Sequence, residues 1–231
     1  MSSIHKSLFF LFFCTVLCII FCSCKTGSKK QVDEFTVSLN SVQVVIGEIE
    51  AQFMKPMSRN LRKENITVIY FPQEDAVCLR YVLDFITYHQ FWSRNGRLEF
   101  NKALTQYNED YNERTLVNSR RSRQTYGTVQ GYLIWQQFNF SVQARANMNV
   151  DLGFDFREKL PYFTVNQGEA EYINPNIPRN NRTSPVMPLF FTRAQAGQLA
   201  ELFESHYLRS IVVPDVRPPL DRTDIGRDDD Y

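Results

Sequence analysis

Apolar and polar positions alternate most regularly along residues 138–156. Phe138, Phe140, Val142, Ala144, Ala146, Met148, Val150, Leu152, Phe154 and Phe156 are apolar, and every residue between them is polar or Gly. A period of two predicts β-structure with one buried and one wet face. At ~3.3 Å per residue the run is far longer than the usual strand, so it reads as one long bent strand or two strands joined by a turn. The parity is unbroken, which requires a turn with an odd number of residues. Residues 147–149 are the expected place for it, with Gly153 as the bend or bulge. The small residues Ala144 and Ala146 predict a helix crossing this face.

The remaining chain gives weaker copies of the same pattern. Phe35, Val37, Leu39, Val42, Val44 and Ile46 suggest a strand or strand pair, and residues 47–63 are mixed around Pro56. Residues 66–71 read as a strand ended by Pro72, with a turn at 73–75. Residues 76–91 then form the second arm of a hairpin. Leu79, Val82, Leu83 and Ile86 also fit helical spacing, but β-branched and aromatic residues favour strand. The period changes at 97–114, where Phe100, Ala103, Leu104, Tyr107 and Tyr111 mark an amphipathic helix. Strand patterns resume from Tyr126 and recur at 162–165 and 169–173. Residues 174–188 are a Pro/Asn-rich loop. A second helix spans 192–208, opened by a capping box of Thr192 and Gln195 and striped by Leu199, Leu202, Phe203 and Tyr207. The expected fold class is α+β: a mainly antiparallel sheet of about six or seven strands with two amphipathic helices packed on one face.

Composition fixes the organisation. The chain has 231 residues, 43% hydrophobic, with 19 Phe and 11 Tyr, enough for one well-filled domain, placed at 34–213. A formal charge of +1 argues against nucleic acid as a partner. Residues 1–6 are weakly basic and 8–21 are apolar, short of the ~20 residues of a membrane-spanning helix, so 1–23 reads as a signal peptide. The tail, 214–231, has the composition of a disordered end. Cys14, Cys18 and Cys22 fall in the signal and Cys24 directly follows it, which leaves Cys78 as the one cysteine of the body and excludes an internal disulfide there. Cys78 reads as a small buried hydrophobe.

The segment Phe21-Cys22-Ser23-Cys24, followed by a small, polar and basic spacer, resembles the lipobox of bacterial lipoproteins in the relaxed form found in spirochaetes and some other diderm bacteria. Ser23 and Cys24 match the small residue and the lipidated cysteine, whereas Phe21 stands where Leu is usual and Cys22 is atypical. The resemblance implies lipid attachment at Cys24, a tether over 24–33, and membrane anchoring through the lipid. Lys25, where Asp would imply retention at the inner membrane, points to the outer membrane, at its periplasmic face or the cell surface.

Chemical motifs are sparse. His89 and His206 are the histidines after the signal, with no clustered ligands around either, so neither a metal nor a cofactor is expected. The sequence contains no G-x-S-x-G, H-E-x-x-H, P-loop or G-x-G-x-x-G. Asp151 and Asp155 share the polar face of one strand, where a solvated surface is the expected role. Arg120, Arg121 and Arg123 form a loop cluster suited to anion or headgroup contact, and Lys55, Arg59, Arg62 and Lys63 form a second basic group. The first functional reading is a non-enzymatic, membrane-anchored binding or assembly component of the cell envelope. Its partner is another envelope protein, met through an exposed sheet edge or the loops at 116–125 and 174–188. The alternative is a carrier of a lipid or other hydrophobic small molecule inside a barrel-like sheet. A third is a hydrolase with an unrecognised site, which would need His89 or His206 within reach of a Ser or Asp. Helices covering the apolar face favour the first reading, and a ligand-sized space the second.

Overall fold

The computed structural model describes residues 35–54, 60–118, 125–137, 143–172 and 182–213. Cys24, the tether, the tail, the Arg120, Arg121 and Arg123 cluster, and Lys55 and Arg59 lie outside them. The described strands are β1 (Val44–Met54), β2 (Leu61–Phe71), β3 (Ala76–Leu83), β4 (Ile86–Trp92), β5 (Thr125–Gln137), β6 (Ala144–Arg157), β7 (Leu160–Gln167), β8 (Ala170–Glu171), β9 (Thr183–Ser184) and β10 (Met187–Phe191). The described helices are α1 (Arg94–Glu113), α2 (Arg193–Phe203) and α3 (Ser205–Ser210).

Eight of the strands close into an antiparallel barrel in the order β1-β10-β7-β6-β5-β4-β3-β2, and β8 and β9 form a separate short ladder. The α+β class and the antiparallel sheet stand as expected. The strand number is higher than six or seven, and the sheet is closed. Alternation tells which side of a strand is buried. It does not tell whether the first strand meets the last, since that depends on β10 returning between β7 and β1. β10 escapes sequence reading because Met187-Pro188-Leu189-Phe190-Phe191 contains a proline and does not alternate. Pro188 pairs with Asn166 of β7, and the β1 register begins only at Leu189, so its missing N–H breaks no bond to β1.

The 76–91 segment is a hairpin in its own right. Asp84 and Phe85, with φ of 48° and 67°, form the two-residue link between β3 and β4, and Glu158 and Lys159, at 50° and 73°, repeat that geometry between β6 and β7. Two successive left-handed residues match the right-handed twist of the paired strands. The expected turn at 147–149 is not present: Asn147 and Asn149 pair with Tyr132 and Gln130 in the middle of β6. The bulge expected at Gly153 sits opposite it, on β5, where the register slips between Thr125 and Gly127.

Ala144 and Ala146 do not receive a helix. They pair with Trp135 and Leu133 and give those larger side chains room inside the barrel. Gly131 works in the same way, since a Cβ there would stand 3.2 Å from Met148 Cε. Helix α1 reaches β6 farther along, where the Tyr107 ring packs on Phe154 with centroids 6.4 Å apart.

The helices seal one end of the barrel rather than one face of a sheet. Ser93 caps α1, its hydroxyl accepting the Gly96 N–H at 3.2 Å. In the first turn Arg97, 1% exposed, donates through Nη1 to the Asp75 carbonyl at 2.6 Å and through Nη2 to Asp75 Oδ1 at 2.7 Å. This bolts α1 to the β2–β3 turn. Tyr107 donates to the Pro161 carbonyl at 3.0 Å and fixes the other end of the helix over β7. Phe100, Ala103, Leu104, Leu199 and Phe203 face down into the barrel core. Thr192 and Gln195 form the expected capping box. The single helix expected over 192–208 is broken at Glu204, whose extended backbone (ψ 128°) separates α2 from α3.

A second, smaller core lies on the outer wall. Residues 35–41, expected as strand, instead run as an arm that lays Phe35, Val37 and Leu39 over Ile69, Phe71, Cys78, Phe91, Tyr132 and Ile134.

Candidate functional site

At the end away from the helices, the lumen is closed by its own side chains. The Tyr81 hydroxyl on β3 donates to Gln167 Oε1 on β7 at 3.2 Å, and these two strands stand diametrically opposite in the barrel. The Tyr81 ring stacks on Tyr88, centroids 5.5 Å apart and 22° between planes. Burial pushes the Tyr81 hydroxyl well above the ordinary phenol range, so it stays a hydrogen-bond donor at any physiological pH. Gln90 and Gln167 are both fully buried. The Gln90 amide and Gln167 Nε2 have no partner among the described residues. Below this bridge, Phe53, Leu83, Ile86, Tyr88, Val186 and Met187 line an apolar recess of about 100 Å³. Ligand clefts generally measure ~300–1,000 Å³, so the recess has the scale of a single side chain.

The barrel wall has two seams where its ladder is short. β1 and β10 share only Gln52↔Phe190 and Phe53↔Leu189. Helices α2 and α3 cover the remainder of that edge of β1. Gln195 Nε2 donates to Glu50 at 3.4 Å, Leu202 packs on Gly47, and Tyr207 donates to the Ile46 carbonyl at 3.4 Å. The β1 register slips between Val45 and Gly47, so Ile46 is the extra residue of a bulge and its carbonyl gains a side-chain partner.

The second seam is open. β2 and β3 pair from Thr67↔Arg80 to Phe71↔Ala76 and no farther. β2 continues back to Leu61, still paired with β1, and β3 continues to Leu83, still paired with β4. Between the diverging edges lies a groove of about 590 Å³ lined by Lys63, Glu64, Asn65, Arg80, Tyr81 and Val82 among others. Lys63 reaches Glu50 at 2.9 Å, and Arg62 holds Glu64 at 3.0 Å.

The other residues singled out in the sequence are dispersed. His89 is half-buried on the outer wall of β4, in register with Arg80 and Ile134. Burial, helped by the Arg80 charge, lowers its pKa to about 4, so the ring is neutral at physiological pH. Its buried Nδ1 has no hydrogen-bond partner among the described residues. His206 is exposed on α3, 3.8 Å from Glu204. Neither has a described Ser or Asp in hydrogen-bond reach. Asp151 accepts from Thr128 at 2.7 Å and Asp155 from Arg157 at 2.5 Å, both on the outer face. Cys78 is fully buried under the N-terminal arm, and burial raises its thiol far above the ordinary range. Among the described residues no three His, Cys, Asp or Glu side chains stand close enough to hold a metal ion. The open seam escaped sequence reading, although the charges of Leu61-Arg62-Lys63-Glu64, set just before an apolar strand, are the mark of an exposed strand edge.

Fold and site together define a class: a closed eight-stranded barrel, filled inside, capped by helices at one end and, among the described residues, left without a ladder along part of one seam. Residues 43–210 match the family described as "Uncharacterised Treponema protein", and the chain belongs to that family. The matched region opens at β1 and ends with α3, so it covers the barrel together with its helical cap. No curated protein and no solved structure matches the chain.

Proposed function

We propose that the protein is a lipid-anchored component of the cell envelope that binds another envelope protein through its outer surface and does no catalysis. The observation that carries this reading is the occupied lumen. A side-chain bridge from Tyr81 to Gln167 crosses it between opposite strands, and the recess beneath is about 100 Å³. A carrier needs that space for its ligand; a binding module can fill it and keep its contacts outside. The hydrolase reading loses support because His89 has no described hydroxyl or carboxylate within hydrogen-bond reach.

Anchoring rests on the lipobox resemblance at Cys24, with Lys25 favouring the outer membrane. The family description names Treponema, a genus of spirochaetes, one of the groups whose relaxed lipoboxes the signal resembles. Cys24 takes the lipid, and Arg120, Arg121 and Arg123 offer a cationic contact for headgroups.

The test has two readings from one preparation. Cells fed labelled palmitate should label the wild-type chain and not Cys24→Ser, and the label should follow the membrane fraction. The same purified protein, extracted with organic solvent, should release no stoichiometric apolar molecule beyond its own lipid. An unlabelled wild-type chain overturns the anchor, and a second, releasable lipid at one per chain restores the carrier.

A further inference from the structure

We infer that the β2–β3 seam is a strand-addition site that takes an extended, acidic peptide segment of a partner protein. This rests on the binding reading above and names the place and the chemistry of the partner. Three observations converge on it. First, residues 61–66 of β2 and 81–83 of β3 are in strand conformation, held by β1 and β4, while the edges they turn toward each other have no ladder partner among the described residues. Backbone N–H and C=O groups in a strand edge are strong, directional hydrogen-bonding groups that an extended peptide matches with its own backbone.

Second, the edges diverge rather than touch. Extending the observed register would bring Ile66 opposite Tyr81 and Asn65 opposite Val82, but the ladder stops one pair earlier, at Thr67↔Arg80. The groove of about 590 Å³ that results is of binding-cleft size, unlike the recess at the barrel mouth.

Third, the charge of the groove selects the peptide. Lys63 and Arg80 stand on its two outer walls; Lys63 is already paired with Glu50 at 2.9 Å, whereas Arg80 makes no ion pair with a described residue and leads the recognition of acid. Glu64, the acid of the lining, lies on the inward side and is held by Arg62 at 3.0 Å. A strand seated here alternates its side chains, outward ones toward Lys63 and Arg80 and inward ones toward Tyr81. Acidic residues at every second position fit the outer walls, and apolar residues between them fit the tyrosine.

The test pans a displayed library of random octapeptides against the full chain. The enriched peptides should carry Asp or Glu at alternate positions. One of them, synthesised and added to the protein, should slow amide exchange about tenfold at 61–66 and 81–83. Arg80→Glu, an exposed substitution, should keep the melting temperature, weaken that peptide about fivefold to tenfold, and turn the enriched set toward Lys and Arg. Enrichment no greater than on an unrelated barrel overturns the proposal, as does protection elsewhere on the chain. So does protection of the same amides without peptide together with a doubled mass, which would make a second copy of this chain the occupant. Any of these failures leaves palmitate labelling at Cys24 untouched, and loss of that labelling leaves the seam result standing.

Discussion

The two seams of the barrel present the same problem with different solutions. β1 and β10 share the shorter ladder, two residue pairs, yet this seam is closed, because α2 and α3 lie along it. β2 and β3 share a longer one, yet theirs opens into a groove. Ladder length therefore does not decide where this barrel is sealed. Packing does: Phe203, 1% exposed, sits tilted against Trp92 and edge-to-face with Phe100, with centroids 5.5 and 5.0 Å away, and locks the helical cap onto the core beside the first seam. Among the described residues nothing equivalent covers the second.

The closed seam should be the more sensitive of the two to substitution. Phe203→Ala removes a ring from a fully packed aromatic cluster and should cost about 3–5 kcal/mol, read from denaturant unfolding. A loss below 1 kcal/mol would mean that the cap does not seal the barrel. Tyr81→Phe deletes the bridge across the lumen and leaves both polar ends of the buried Gln167 without a described partner. A loss of about 1–2 kcal/mol in the same assay is expected. No change would argue that the bridge is incidental and would weaken the case for a filled lumen.

Gly47 sharpens the picture of how α2 closes its seam. A Cβ at this position would come within 2.9 Å of Leu202 Cδ1, so Gly47→Ala should destabilise by about 1 kcal/mol. In a Leu202→Ala background the same change should cost about 0.5–1 kcal/mol less, a coupling that a double-mutant cycle measures directly. Additive effects would place the strain elsewhere. At the helix-free end, Phe85 sits with φ of 67° and 83% exposed, so it carries backbone strain and buries almost nothing. Phe85→Gly should raise stability by about 0.5–1 kcal/mol; a fall would reveal a contact for this ring.

The gentlest probe is pH. The folded state lowers the His89 pKa from 6.5 to about 4, so between those values the unfolded chain binds more protons than the folded one. Stability should decline as pH falls through this window and level off below it. His89→Gln should flatten that part of the profile, with partial exposure to water keeping the difference small. An unchanged profile would assign the acid sensitivity to other groups.

Particular residues show how much was readable beforehand. Phe100, Leu104 and Tyr107 announced α1 by their spacing, and Thr192 with Gln195 announced the start of α2. Both are local signals in which a few neighbouring residues satisfy each other's backbone groups or line one stripe. The inward face of β6 was legible from Ala144 onward because alternation records burial position by position. Glu204 was not legible as a break, since nothing in its own chemistry forbids helix and its extended backbone is adopted in the packed structure, where its side chain also accepts from Asn101 of α1. Ala144 and Ala146 were misread for a related reason: the sequence shows that space is needed beside them, and the register alone shows that Trp135 and Leu133 take it.

The antiparallel α+β class, the starts of the two main helices and the buried face of the alternating strands could be read from the chain alone. These follow from periodicity, capping and composition, which act over a few residues. Only the tertiary structure decided that the sheet closes, that the helices stop one end instead of covering a face, and that one seam is sealed while the other stands open. Closure depends on a strand near residue 190 meeting one near residue 52, and that register is a property of the whole sheet that no local pattern can encode.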